Sequence, residues 1–125
     1  MSIPTDRQYT AEHEWIIVEG DTATIGITEH AAQALGDIVY VDLPGAGTDV
    51  TAGESCGEIE STKSVSELFS PASGTVTESN EDLDSAPETV NADPYGAGWL
   101  WKMSVESVAD LLDAAAYAAL VEAGQ

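Results

Sequence analysis

Basic side chains are almost missing from this sequence. Arg7, Lys63 and Lys102 stand against 23 aspartates and glutamates, a formal net charge of −20 at pH 7 with the histidines neutral. Such a charge repels nucleic acid and anionic membranes, so no nucleic-acid or membrane partner is expected. Cysteine is down to Cys56 alone. One thiol makes no intrachain disulfide and no Cys-rich zinc site, and in mid-strand beside Gly57 it reads as a small buried hydrophobe. Only two histidines are present, His13 at a strand entrance and His30 in a short helix. Neither comes with a nucleophile-elbow motif, so no catalytic residue and no metal site is assigned. No apolar run is long enough to span a bilayer. The first seven residues, Met1 to Arg7, have neither a secretory signal's basic-then-apolar pattern nor an organelle presequence's Arg-rich, acid-poor character. The chain is therefore expected to be cytoplasmic and to begin at its own initiator methionine.

What is present is the composition of a folded protein. Hydrophobic residues make up 43% of 125 positions, enough for a real core in one domain, 1–125, and too many for a disordered chain. The acidity then belongs to the surface, as in halophilic prokaryotes, whose high internal salt screens the self-repulsion. On this reading the thermal midpoint rises in molar salt; equal stability with and without salt would contradict it.

In chain order, Trp15-Ile16-Ile17-Val18 is β-rich and Glu19-Gly20-Asp21 signals a turn. Thr22 to Thr28 alternates as a half-buried strand does, so the chain opens on a hairpin. Thr28 caps a short helix over Glu29 to Leu35, with Gly36 just past its end. Asp37 to Leu43 is a strand, stopped by Pro44-Gly45-Ala46-Gly47. Two glycines there are no dinucleotide fingerprint, because the third glycine and a following helix are missing. Two β-prone runs follow, Glu58-Ile59-Glu60 and Val65 to Phe69, with Gly53 and Gly74 at similar distances outside them. Val50-Thr51-Ala52-Gly53 and Pro71-Ala72-Ser73-Gly74 form a weak repeat, suited to a small sandwich of two similar halves. Thr75 to Ser79 continues as strand. Asn80 to Gly98 is a long irregular acidic segment with one helical turn at Pro87 to Val90, and Trp99 to Ser104 closes the sheet. Ser104 or Ser107 then caps a helix through Leu112, with Val108, Leu111 and Leu112 as its apolar stripe. Asp113 caps another from Ala114 to Ala123, with Tyr117, Leu120 and Val121 facing the sheet. The expected fold is mainly β, a two-sheet sandwich or barrel-like arrangement. A short helix follows the first hairpin, and residues 105–125 form a helical C-terminal extension packed on the domain.

Lys63 is the candidate site. The chain avoids lysine nearly everywhere, yet keeps one among Glu58, Glu60 and Glu67 at the tip of a hairpin. An amine there is accessible to a modifying enzyme. Joining a carboxylic acid to it as an amide removes the charge and leaves a long flexible arm, as in a group carrier. An ordinary turn lysine is the plain alternative.

The stretch Ile59-Glu60-Ser61-Thr62-Lys63-Ser64-Val65-Ser66-Glu67-Leu68-Phe69-Ser70-Pro71-Ala72-Ser73-Gly74 closely resembles the lipoyl-attachment hairpin of the glycine cleavage system H protein family. His13-Glu14-Trp15, Ala23 to Thr28, Val41-Asp42-Leu43-Pro44 and Asn91-Ala92-Asp93-Pro94-Tyr95-Gly96-Ala97-Gly98-Trp99-Leu100 resemble further landmarks of that family. The last of these separates it from the lipoyl domains of 2-oxoacid dehydrogenases and from biotinyl domains, which share the hairpin. The resemblance implies the lipoyl/biotinyl barrel-sandwich hybrid fold and a carrier that is not itself an enzyme, with lipoate held covalently as an amide on Lys63. It implies that the arm takes the aminomethyl group of glycine from a pyridoxal-phosphate glycine decarboxylase. The arm then presents it to a tetrahydrofolate-dependent aminomethyltransferase and is reoxidised by dihydrolipoamide dehydrogenase. A lipoyl ligase or transferase would attach the lipoate. It also implies an arm-docking cleft at which Glu14 matches a family carboxylate and Glu67 aligns where the family often has an acid. Thr62 and Ser64 depart from the aliphatic residue and the alanine usual beside the lysine; both are small enough for the turn. A lipoyl carrier of another system and a cofactor-free module of the same fold remain alternatives at this point.

Overall fold

The computed structural model describes residues 3–108 and 111–124. These residues form nine strands and four short helices. After β1 (Gln8–Tyr9), the hairpin of β2 (Glu14–Glu19) and β3 (Thr22–Ile27) turns at Gly20-Asp21, with Gly20 at φ 67°. Helix α1 (Glu29–Leu35) starts where Thr28 Oγ1 accepts the Ala31 N–H at 3.2 Å and stops at Gly36. Strands β4 (Ile38–Asp42), β5 (Asp49–Val50), β6 (Ser55–Ser61), β7 (Val65–Phe69) and β8 (Ala72–Ser79) follow. The long acidic segment holds two single helical turns, α2 (Asp82–Ser85) and α3 (Thr89–Ala92), before β9 (Trp101–Val108) and α4 (Ala114–Glu122). One sheet has the order β1-β2-β3-β9-β8-β5 and the other β4-β6-β7, with antiparallel pairing throughout. The expected two-sheet sandwich is the observed architecture.

The C-terminal part differs from expectation. No helix starts at Ser104 or Ser107: β9 continues to Val108, pairing Ser104, Val105, Ser107 and Val108 with Thr75, Gly74, Ser73 and Ala72. The Val105 N–H also donates to Asp21 O at 2.8 Å. The serines look like caps in isolation, but a full backbone ladder with β8 satisfies more donors than a capped turn, and the flanking valines suit a strand. Val108 is 47% exposed and belongs to no core stripe. Leu112 instead bridges Tyr9, with backbone hydrogen bonds of 2.8 and 2.7 Å. The helical extension is thus α4, not 105–125; Ala109, Asp110 and Gln125 lie outside the described residues. Asp113 does cap α4, its Oδ1 accepting the Ala116 N–H at 2.8 Å.

Two apolar clusters result. The larger, with Ile16, Ile25, Ile59, Leu68, Val76 and Trp101, lies between the sheets. The smaller, Tyr9, Trp15 and Tyr117, lies under α4. Strand β2 supplies both, because alternate side chains point to opposite faces. Trp15 and Ile17 go to the α4 side; Glu14 therefore shares the face of Ile16. An acid is carried into the sandwich.

Candidate functional site

The β6–β7 hairpin presents Lys63 on a braced tip. Ser61 Oγ accepts the N–H groups of both Lys63 and Ser64 at 3.1 Å, and the Ser61 N–H donates to Ser64 O at 2.8 Å. Serine at the first position of a tight turn can bond the backbone ahead of it in this way. Ser61 is 6% exposed, whereas Thr62, Lys63 and Ser64 are all exposed. The Thr62 N–H donates to Asp37 O at 3.0 Å, tying the tip to the connection between α1 and β4. Lys63 crosses that connection at Gly36, where a Cβ would stand 2.9 Å from Lys63 Cε. Gly36 also has φ 82°. Glycine serves twice there, as a helix stop and as a seat for the lysine stem.

Between α1 and the hairpin lies a cleft of about 160 Å³. Ile27, Ala31, Ala34, Leu35, Ile59 and Leu68 make it largely apolar, and Glu12, His13, Glu14, Ser66 and Glu67 give it polar edges. The two carboxylates singled out in the sequence therefore line one cleft. Their environments differ. Glu67 is exposed. Glu14 is 2% exposed, with Oε1 accepting from Thr10 Oγ1 and Oε2 from the Phe69 N–H, both at 3.0 Å. Burial pushes its carboxyl up to about 7; the Phe69 and Thr10 donors oppose that rise, and the Glu12 charge adds to it. Glu14 is also a clamp, since its two bonds join the β1–β2 turn to the end of β7. Cys56, half-buried, has its thiol pushed up to about 12, first by burial and then by the Glu14 charge, which keeps it an unreactive thiol. Among the described residues no group of His, Cys, Asp and Glu could hold a metal ion.

The sequence showed the Asn91-to-Trp99 segment only as a landmark; the structure gives its job. Asn91 Nδ2 donates to Gly36 O at 2.8 Å, and the Ile38 N–H donates to Asn91 Oδ1 at 2.9 Å. At the other end of α1, Tyr95 Oη accepts the Glu29 N–H at 3.1 Å. The segment grips α1 at both ends. It is itself held to β2 by a bond of 2.9 Å from Trp15 Nε1 to Pro94 O. Arg7 packs over the rings of Trp15 and Tyr95, at 4.6 and 5.2 Å from their centroids. One of the three basic residues is thus a structural staple for the wall of the cleft.

A family model described as Glycine cleavage H-protein matches residues 7–124. The chain belongs to the glycine cleavage H-protein family. It is similar to the glycine cleavage system H protein of Beutenbergia cavernae, 65% identical over 120 residues, covering 96% of this chain and 97% of that one. The H protein of Mycobacterium tuberculosis is 57% identical, covering 92% and 93% of the two chains. The crystal structure of an H protein from Mycobacterium marinum superposes with a TM-score of 0.91 at 50% identity, covering 98% of this chain and all of the other. As a member of the H-protein family, the chain is a lipoyl carrier of the glycine cleavage system and a non-catalytic component of it. That accounts for the scarcity of catalytic groups. No described helix is long and apolar enough to cross a membrane.

Proposed function

We propose that Lys63 Nζ carries lipoate as an amide, attached by a lipoyl ligase or transferase, and that the cleft beside it receives the loaded arm. When bound, the lipoyl group supplies the disulfide that takes glycine's aminomethyl group from a pyridoxal-phosphate decarboxylase, passes it to a tetrahydrofolate-dependent aminomethyltransferase and is restored by dihydrolipoamide dehydrogenase. One observation carries the reading: an exposed lysine stands on the braced tip of a hairpin whose strands line a largely apolar cleft containing a buried carboxyl group. An eight-carbon acyl chain with a dithiolane ring suits such a lining. Lys63 has no ion-pair partner among the described residues, so amide formation breaks no salt bridge.

The chain's own residues account for the rest. Ser61 holds the tip in shape, and Gly36 leaves room for the lysine stem where it crosses the α1–β4 connection. The apolar walls keep water from the cargo. Glu14 sits near half-protonation at neutral pH. An arriving basic amine favours its carboxylate form, so docking moves the Glu14 proton to solvent and forms a charge-assisted hydrogen bond in a poorly hydrated place. Glu67 adds a second, solvated acid at the cleft edge. Glycine–bicarbonate exchange with the pyridoxal enzyme tests the assignment. Lipoylated protein should support exchange and unlipoylated protein should not. Absence of exchange with fully lipoylated protein would overturn the glycine reading.

A further inference from the structure

The cleft has three walls: α1, the β1–β2 turn with His13 leading into Glu14 at the start of β2, and the hairpin. Two of its seams are closed by bonds already described. Thr62 joins the hairpin to the α1–β4 connection, and Glu14 joins the turn to β7. The third seam, between the turn and α1, is joined directly by the Thr28 N–H, which donates to His13 O at 3.0 Å, and is braced from outside by the C-terminal helix. Tyr117 Oη lies 2.7 Å from Thr28 Oγ1, the capping oxygen of α1, and 2.7 Å from His13 Nδ1 in the turn. A phenol has one proton and two acceptor lone pairs, so it can serve both partners, one as donor and one as acceptor. Tyr117 is fully buried and stacks on Tyr9, with centroids 4.6 Å apart and planes at 11°.

His13 needs such a hold. It is the one described non-glycine residue with positive φ, at 69°, a conformation that persists only where the surroundings enforce it. Its N–H donates to Thr10 O at 3.1 Å, its carbonyl accepts the Thr28 N–H at 3.0 Å, and its ring packs 4.7 Å from that of His30 on α1. Glu14 follows it directly. Whatever fixes His13 fixes where the Glu14 carboxyl enters the cleft.

We propose that Tyr117 is a positioning residue for the carrier reaction: its hydroxyl fastens the two cleft walls to each other through Thr28 and His13, and so sets the fit of the docked arm. This rests on the carrier reading of Lys63. The C-terminal helix is then part of the working cleft, although it contributes no side chain to the lining. Tyr117→Phe keeps the ring, its burial and its stacking, and removes only the two hydroxyl bonds. Leu120→Ala, in the same helix and the same apolar cluster, loosens α4 without touching the bridge.

Two measurements decide it. In the unloaded protein, hydrogen exchange is followed at the Ala31 N–H, bonded to Thr28 Oγ1, and at the Phe69 N–H, bonded to Glu14 Oε2. Tyr117→Phe should speed both by about tenfold and leave Ile25, Val76 and Met103 in the main core unchanged. In the lipoylated, loaded protein, ammonia release without partner enzymes should be faster by a similar factor. Leu120→Ala should produce neither local effect. Unchanged exchange at Ala31 and Phe69, a uniform rise across the core, or the same local pattern in Leu120→Ala would each overturn the proposal, as would ammonia release at the wild-type rate. If lipoylated wild-type protein takes up no cargo, the carrier reading fails instead, and the exchange pattern still decides whether Tyr117 fastens the walls.

Discussion

Lys63→Arg is expected to reduce glycine–bicarbonate exchange to the level of unlipoylated protein while leaving the fold intact. Arginine keeps the charge and much of the length of lysine. Its guanidinium stays protonated and cannot be acylated as an amine. The side chain is exposed, and the tip depends on Ser61 and on backbone bonds that the substitution leaves alone. The change in unfolding free energy should therefore stay within about 0.5 kcal/mol. Circular dichroism and a thermal melt beside the exchange assay check both halves. Retained exchange would remove Lys63 from the mechanism, and a large loss of stability would mean that the lysine stem holds the α1–β4 connection together.

Glu14 has the largest expected effect on stability. Glu14→Ala leaves the Phe69 N–H and the Thr10 hydroxyl without their acceptor and unclamps the turn from β7, at a cost of about 2–4 kcal/mol. Glu14→Gln keeps an acceptor oxygen and should cost less. The pH dependence separates them further. The folded-state pKa, about 7, lies above the ordinary 4.5, so between these values the native state binds more protons than the unfolded state. The Glu14 contribution is thus fully present below pH 4.5 and is lost as pH rises through 7. Its full size is on the order of 3 kcal/mol. Measured by denaturant unfolding from about pH 4 to about pH 8, a range that brackets both values, Glu14→Gln should gain on the wild type as pH rises. A constant gap would mean that the buried carboxyl has its ordinary affinity for protons. Comparing the two proteins cancels the repulsion among the exposed acids, which also changes with pH.

Local signals made much of the fold readable. The first hairpin, the Thr28-to-Gly36 helix and the Lys63 hairpin each rest on alternation, a cap or a turn between close neighbours in the chain, and each lies where the sequence indicates. Lys63 was legible because its type is scarce and its flanks alternate. Glu14 and Glu67 came from family resemblance, and the structure puts both on one cleft. What the sequence hid is non-local. The Ser104-to-Val108 segment has serines that look like caps, but its pairing partners in β8 lie far back in the chain. The burial of Glu14 depends on which face of β2 meets the second sheet, and no local pattern marks that. Asn91 and Tyr117 reach their partners over 53 to 104 residues, so Asn91 read as a motif letter and Tyr117 as part of an apolar stripe. An acidic composition, finally, gave no hint that one carboxyl would be the buried one.

The most direct test of the central claim is the mass of the proteolytic peptide containing Lys63, taken from protein co-expressed with a competent lipoyl ligase and supplied with lipoate. The peptide should carry the added mass of one lipoyl amide, with fragmentation placing it on Lys63. An unmodified Lys63 under those conditions, or a lipoyl group on Lys102, would contradict the account.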